Sequence, residues 1–207
     1  AGLRYGENPH QKGGLYVQGN GPIGGIAGAH QLHGRDMSFN NLMDADAAWR
    51  TVCDFAEPTV AVVKHTNTCG LASHEDQSEA YRRAYEGDSV SAFGGIVGYN
   101  RTVTAATASA MGPVFYEVVV APGYEPEALE ILRKKRNLRL LAVEWTGDAP
   151  DYDLRPISGG LLVQTLDDAG EDPAEWKTVT NRAPGDGELR DLAFAWKAAK
   201  HIKSNAI

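Results

Sequence analysis

The sequence is poor in cysteine, in basic charge and in long apolar runs, and each shortage excludes a class of protein. Only two cysteines occur among 207 residues, too few for a disulfide scaffold. The formal net charge is -7, which argues against an extended nucleic-acid surface because such a surface needs a basic face. No stretch approaches the roughly 18 consecutive apolar residues of a membrane span, and the N-terminus lacks a signal-peptide pattern. We therefore predict a soluble, cytoplasmic protein that binds neither nucleic acid nor membrane.

Motifs for a catalytic zinc ion or a dinucleotide are also missing or unconvincing. A zinc-dependent deaminase needs H-x-E together with P-C-x-x-C to hold the metal and move protons, and neither occurs. The segment Gly19 to Gly24 matches G-x-G-x-x-G, but Pro22 and the glycines that follow argue against a helix start, so we interpret it as a loop. We predict chemistry that requires no metal.

Short apolar runs alternate with helical patterns from the middle of the chain onward, which predicts an α/β fold with helices on the faces of a sheet. Gly87 is expected to end the second helix in the left-handed conformation, and Glu144 to Asp153 is expected to be a loop. The predicted helices are Asp44 to Phe55, Ser78 to Tyr85, Ala105 to Met111, Glu127 to Arg136 and Gly187 to His201. The predicted strands are Thr59 to Val63, Gly95 to Tyr99, Val118 to Ala121, Leu140 to Val143 and Leu161 to Val163.

The pair Lys64 and His65 directly follows an apolar strand. Ligands gather at the carboxyl ends of strands in open α/β sheets, where the following helix offers its N-terminal amides. A lysine there can stabilise a developing oxyanion, and a histidine with a pKa near neutrality can take a proton from an attacking amine. The alternative is structural: Lys64 is then a strand-end surface residue, and His65 is a hydrogen-bonded loop residue.

Two further features have ordinary alternatives. Cys69 can act as a nucleophile beside His65 if a nearby cation lowers its pKa, although the sequence suggests no third, orienting residue. The basic run Arg133 to Arg136 closes a predicted helix, where cations oppose the negative end of the helix dipole. Such a run is typical of a solvated face.

Recognisable motifs span nearly the whole chain. The segment Leu3 to Gln11, LRYGENPHQ, closely resembles the opening motif of the transformylase domain of the bifunctional purine enzyme AICAR transformylase/IMP cyclohydrolase. Further segments resemble that family in the family's order, namely 33–34 with 38–41, 44–47, 64–70, 91–95, 117–124, 154–160 and 203–207.

This resemblance implies an activity and a catalytic pair. In that family, the lysine and histidine of the K-H-x-N-P-C-G motif are catalytic, which corresponds to Lys64 and His65 here. The implied reaction transfers a formyl group from 10-formyltetrahydrofolate, the cosubstrate, to the 5-amino group of AICAR, giving FAICAR in IMP biosynthesis. His65 would remove the amine proton, and Lys64 would stabilise the oxyanion or assist departure of the folate nitrogen.

The same matching implies residues that bind the nucleotide. Arg4 and Tyr5 match residues that contact it, and a guanidinium suits phosphate because it binds in a bidentate fork. Gly94, Glu117 and Asn205 match three further positions, with Gly94 expected to let a backbone approach the ligand. For each of these residues the alternative is structural support of a loop.

The resemblance also implies a fold and a domain organisation. The family fold is α/β, a cytidine-deaminase-like three-layer sandwich without metal, duplicated in tandem, with active sites between the subunits of a homodimer. Residues 1–200 would form the first subdomain, with a nucleotide-binding segment at 1–45, and 201–207 would begin a second. The family's cyclohydrolase domain would precede the chain, and the apolar end at Ile207 would be a fragment boundary or a short terminal strand.

One departure leaves a second function open. Thr68 stands where the family motif has proline, which removes a backbone restraint beside the catalytic pair. Together with the expected truncation, this substitution favours an alternative: a non-catalytic nucleotide-binding or dimerisation fragment of the same enzyme.

Overall fold

A computed structural model of the chain describes residues 1–17, 23–144, 152–167, 170 and 172–203. The chain divides into two compact units, Ala1–Thr146 and Gly147–Ile207. The start of a further subdomain at 201–207 stays a prediction, since 204–207 lie outside the described residues. The helices and strands, in chain order, are β1 (His30–His33), α1 (Phe39–Cys53), β2 (Thr59–Lys64), β3 (Asn67–Ser73), α2 (Gln77–Gly87), β4 (Ile96–Tyr99), α3 (Ala105–Ala110), β5 (Val118–Ala121), α4 (Pro126–Arg133), β6 (Arg139–Ala142), β7 (Tyr152–Ile157), β8 (Gly160–Thr165) and α5 (Asp186–Lys200), with short 3-10 helices at Ile26–Gly28 and Pro173–Glu175.

The first unit is built on a six-stranded mixed sheet in the order β1-β6-β5-β4-β2-β3. Strands β4, β5 and β6 are parallel, which fits the helical connections between them. Strand β2 is antiparallel to both of its neighbours, β3 and β4, and β1 is antiparallel to β6. The prediction of an α/β fold is confirmed.

Helices cover both faces of this sheet, which makes the first unit three layers deep. Alternate residues of β2 point to opposite faces, as the period of a strand requires. Val60 and Val62 pack in the core beneath α2, α3 and α4, whereas Ala61 and Val63 pack in the core beneath α1. Burial on both faces explains why this strand is a continuous apolar run and not an alternating one.

The predicted start of α1, the predicted end of α4 at Arg136 and the left-handed conformation predicted for Gly87 are wrong; α4 ends at Arg133, so most of the basic run Arg133 to Arg136 follows the helix. Helix α1 begins at Phe39 and not at Asp44, because Ser38 forms a capping box with Asn41. Gly87 is the last residue of α2, and its φ is not positive. It lies against Gly70 of β3, and Gly70 is the glycine that allows close packing of helix on strand, because a Cβ added there would clash with the backbone carbonyl of Ala84 in α2.

The second unit contains a hairpin and a helix. Strands β7 and β8 pair from Tyr152 opposite Thr165 to Ile157 opposite Gly160, and Gly159 takes a φ of 79° in the turn. Strand β7 begins inside the stretch predicted to be a loop, of which 145–151 lie outside the described residues. None of the residues described in this unit is buried.

Within the described ranges, no helix combines the length and the apolar character that crossing a membrane requires.

Candidate functional site

One edge of the sheet collects most of the residues singled out from the sequence. Val63 of β2 pairs with Ile96 at the start of β4, Ile96 pairs with Val118 at the start of β5, and Val118 pairs with Arg139 at the start of β6. Lys64, the residue after Val63, therefore lies beside the starts of β4, β5 and β6 and the residues that precede them. We call this border, defined by Lys64, Gly94, Glu117 and Arg139, the Lys64 edge.

The Lys64 edge differs from the one expected. We expected carboxyl ends of strands and a helix following Lys64 and His65. Because β2 is antiparallel to β4, the carboxyl end of β2 lies beside the amino ends of β4, β5 and β6. The chain then turns directly into β3 and not into a helix, so helix N-terminal amides do not follow this strand.

His65 and Thr66 form a two-residue turn between β2 and β3. Lys64 pairs with Asn67 across the hairpin, and φ is 88° at His65 and 42° at Thr66. Positive φ at both loop residues is the requirement of a type I′ turn, which matches the twist of the strands it joins. These are the two non-glycine residues with positive φ in the described part of the chain. The side chain of His65 is exposed at the tip.

The amine of Lys64 is held against the segment that precedes β4. Its Nζ donates a hydrogen bond to the carbonyl oxygen of Phe93 at 2.7 Å. Hydrogen bonds from Ser91 hold the pKa of Asp88 below its usual range, and the positive charge of Lys64 adds to that effect. The cation of Lys64 therefore lies along the 88–94 segment, beside the position of Gly94.

Gly94 occupies a left-handed conformation in this segment. Its φ is 74°, and its amide donates to the carbonyl oxygen of Phe115 at 2.8 Å. A Cβ added there would meet the Phe115 ring at an ordinary 3.8 Å, so conformation and not crowding requires glycine. The rings of Phe93 and Phe115 lie 5.4 Å apart and are 62% and 42% exposed. Sequence reasoning missed this exposed aromatic pair, although Phe93 lies inside the recognised segment 91–95.

Glu117 is fixed by a buried arginine that sequence reasoning also missed. Nη1 of Arg139 donates to Oε2 of Glu117 at 2.6 Å, and the side chains are 4% and 39% exposed, respectively. Nε of Arg139 also donates to the carbonyl oxygen of Asp36 at 3.2 Å. A charged residue that opens an apolar strand, as in Arg139–Ala142, is the available sequence signal, because a buried cation must find a partner.

The predicted nucleotide-binding residues Arg4 and Tyr5 lie beside the start of α1. The amide of Arg4 donates to the carbonyl oxygen of Met37 at 3.3 Å, and the amide of Phe39 donates to that of Tyr5 at 3.2 Å. The guanidinium of Arg4 lies 5.3 Å from the centre of the Tyr5 ring. Since Arg139 binds Asp36, the 36–39 segment connects Arg4 to the Lys64 edge.

The structure argues against Cys69 as a nucleophile. Burial raises the pKa of its thiol, Asp88 raises it further, and the opposing influence of Lys64 is smaller. Lys64 does lower the pKa of this thiol, as expected of a nearby cation, but burial and Asp88 outweigh it. The thiol donates to the carbonyl oxygen of Val62 at 3.4 Å.

Thr68 lies in β3 and not in a loop. It pairs with Val63, and its hydroxyl oxygen stands 3.5 Å from that of Thr51 on α1. The backbone restraint at this position therefore comes from strand pairing.

Asn205 lies outside the described residues, as does most of the glycine motif Gly19 to Gly24. In the described ranges, no three His, Cys, Asp or Glu side chains are grouped as a metal site would need. The roles assigned to Lys64, His65, Arg4, Tyr5, Gly94 and Glu117 stay predictions.

Comparison with known proteins identifies the family. A family model described as the AICARFT/IMPCHase bienzyme matches residues 1–207. The chain is 51% identical over 207 residues to the bifunctional purine biosynthesis protein PurH of Thermoanaerobacter sp. (strain X514), covering 99% of this chain and 40% of that protein. For the PurH proteins of Nostoc punctiforme and Acidithiobacillus ferrooxidans the identity is 50% over 206 and 209 residues, again covering 99% of this chain, with 40% and 39% of those proteins covered. The chain spans about 40% of the length of these curated relatives, and it belongs to the AICARFT/IMPCHase bienzyme family.

Proposed function

We propose that this chain carries the formyl-acceptor part of a phosphoribosylaminoimidazolecarboxamide formyltransferase, acting in purine biosynthesis. The substrates are AICAR and the cosubstrate 10-formyltetrahydrofolate, and the product nucleotide is FAICAR. The observation that carries the proposal is the position of Lys64 and His65, at one edge of the sheet with Glu117, in a chain of the bienzyme family.

The chemistry follows from these two side chains. The 5-amino nitrogen of AICAR attacks the formyl carbon, and His65 takes a proton from that nitrogen. The carbonyl oxygen becomes an oxyanion, which the ammonium of Lys64 stabilises. The oxyanion then re-forms the carbonyl as the bond between the formyl carbon and the folate nitrogen breaks, and the proton that His65 took from the amine is donated to that nitrogen. The charge of Lys64 also assists this departure.

Binding residues surround this pair in the proposal. Arg4 binds the phosphate of the nucleotide and Tyr5 lies beside it. Glu117 accepts hydrogen bonds from polar groups of the nucleotide, and Asn205 accepts or donates them. Arg139 supports the Glu117 assignment because it fixes the carboxylate without covering it. The exposed rings of Phe93 and Phe115 offer apolar surface next to Lys64, and a fused heterocycle can stack on one of them.

We also propose that the chain is a cytidine-deaminase-like subdomain, the first of two in tandem, in a cytoplasmic homodimer. The three layers of the first unit support the fold assignment. The apolar side chains exposed on β8 support assembly with further protein, since the largest of them are more than half exposed. No metal takes part in the proposed reaction.

The test uses the full-length enzyme with Lys64→Ala and His65→Ala, following the folate product by absorbance. We expect each variant to lose at least about a hundredfold in kcat, the usual scale for a general base or an oxyanion donor. His74→Ala is a matched control, because His74 follows β3 at the end of the sheet opposite Lys64. Near-native turnover of both Lys64→Ala and His65→Ala refutes the assignment of these residues as the catalytic pair.

Calorimetry separates the alternative function. If the wild-type full-length enzyme binds AICAR tightly but gives no turnover with 10-formyltetrahydrofolate, the chain is a nucleotide-binding module and not part of a transferase. In the transferase case, His65→Ala retains AICAR binding while kcat falls.

A further inference from the structure

The turn that carries His65 adopts a backbone conformation that its residues do not favour. Both His65 and Thr66 have positive φ, and a β-branched residue such as Thr66 is a genuine outlier there. Asn-Gly or Asp-Gly would satisfy a type I′ turn without strain. A conformation of this kind persists only where surrounding contacts impose it.

A contact from outside the hairpin helps to hold this turn. Oδ1 of Asp44 accepts a hydrogen bond from the backbone amide of Thr66 at 2.7 Å. A bond from an amide to a carboxylate is stronger than one between neutral groups. Since the amide of Thr66 belongs to the peptide that joins it to His65, this bond fixes the plane that sets the direction of the His65 side chain.

Asp44 is itself held firmly. It lies well inside α1, whose N-terminus is capped by Ser38, so helix capping does not explain an acidic residue at this position. Its neighbour Ala45 and, one turn on, Ala48 are completely buried against the sheet. The carboxylate therefore extends from a rigid helix to the turn.

We propose that Asp44 is a positioning residue for formyl transfer, acting through the Thr66 amide to hold His65 in its productive orientation. The proposal rests on the function proposed above. Asp44 does not touch the substrate in this role; it removes freedom from the turn, and displacement of a catalytic group by about 1 Å can cost on the order of a hundredfold in rate.

The test compares Asp44→Ala, Asp44→Asn and Asp46→Ala in the full-length enzyme. Asparagine at position 44 keeps an acceptor oxygen at the same place. Asp46→Ala is the control, because it removes a second acidic residue of α1 and leaves Asp44 unchanged. Hydrogen exchange of peptides spanning 62–68 reports the turn directly, and steady-state kinetics report the site. Circular dichroism checks that each variant folds.

We expect exchange at the turn to rise at least about tenfold in Asp44→Ala, because the Thr66 amide loses its acceptor. In the same variant, kcat should fall about tenfold to a hundredfold, with the KM for AICAR changed less than about twofold. Asp44→Asn should recover most of both properties, and Asp46→Ala should resemble the wild type. A purely structural role would lower the amount of folded enzyme without this division between kcat and KM.

Three results overturn the proposal, and they are distinguishable from one another. Unchanged exchange in Asp44→Ala means that the hydrogen bond does not hold the turn. Faster exchange with unchanged kcat, while His65→Ala stays inactive, refutes the positioning role and leaves the proposed function standing. Native turnover of His65→Ala overturns both.

Discussion

The two units contain similar apolar runs but differ completely in burial. Residues 59–63 of β2 are entirely buried, whereas Leu161, Leu162 and Val163 of β8 are 55%, 56% and 56% exposed. The sheet of the first unit has helices on both faces, while β7 and β8 pair only with each other. An apolar run therefore predicts a strand in both places, but burial depends on chain elements distant in sequence.

The largest expected difference is between the two units when each is produced as a separate fragment. Residues 1–146 should fold alone and unfold cooperatively, because they contain every buried residue that the structure describes. Residues 147–207 alone should show no cooperative transition, since an isolated hairpin and an isolated 15-residue helix are both marginal in water. Thermal melts followed by circular dichroism check both fragments. A sharp melt of 147–207 would show that the second unit has its own core, and the comparison would fail.

A smaller effect should distinguish one leucine in each unit. Leu140→Ala creates a cavity between sheet and helices and should lower the free energy of unfolding by about 2–4 kcal/mol. Leu162→Ala removes a side chain that is already half exposed and should cost less than about 0.5 kcal/mol. Urea titrations of the whole chain measure the difference. Equal losses would mean that Leu162 is covered in solution.

The smallest effect concerns pH. Burial raises the pKa of Cys53 in α1 to about 12, with a further contribution from Asp54. The unfolded thiol has its ordinary pKa near 8.5, so the stabilisation from this group is complete below that pH and is lost as the pH rises toward 12. The urea midpoint of the wild type should therefore fall more between pH 8 and pH 10 than that of Cys53→Ala.

A cysteine introduced at an exposed position of the second unit provides the matched control for that measurement. Introducing Ala195→Cys into the Cys53→Ala chain should not restore the pH dependence, because residue 195 is exposed in the folded state. If it does, ionisation of the half-buried Cys53 thiol is not the cause of the pH dependence.

Local patterns predicted the buried strands better than the edge strands. The β-branched runs in β2 and β5 have a strong signal because both faces are covered. Strands β1 and β3, HQLH and NTCGLAS, were missed since they are the two outer strands of the sheet and carry polar or small residues. Their pairing depends on tertiary contacts and on a turn without the usual Asn-Gly signal.

The sequence allows residues of the candidate site to be proposed but does not give their geometry. Lys64 and His65 were singled out by their position after a strand and by the family motif, and their roles stay predictions. The direction of β4 relative to β2, which determines what lies beside them, has no local signature because it depends on pairing between distant segments. The same limitation hid Arg139, whose partners Asp36 and Glu117 are 103 and 22 residues away along the chain.

The short hairpin between β2 and β3 has a consequence for the order of assembly during synthesis. The bond from Thr66 to Asp44 joins residues 22 apart, and the bond from Lys64 to Phe93 joins residues 29 apart. Loops of this length close at a small entropic cost, and contacts local in sequence form quickly. A nascent chain can therefore form these two bonds once residue 94 has emerged, whereas the ion pair that holds Glu117 requires Arg139, which is synthesised later.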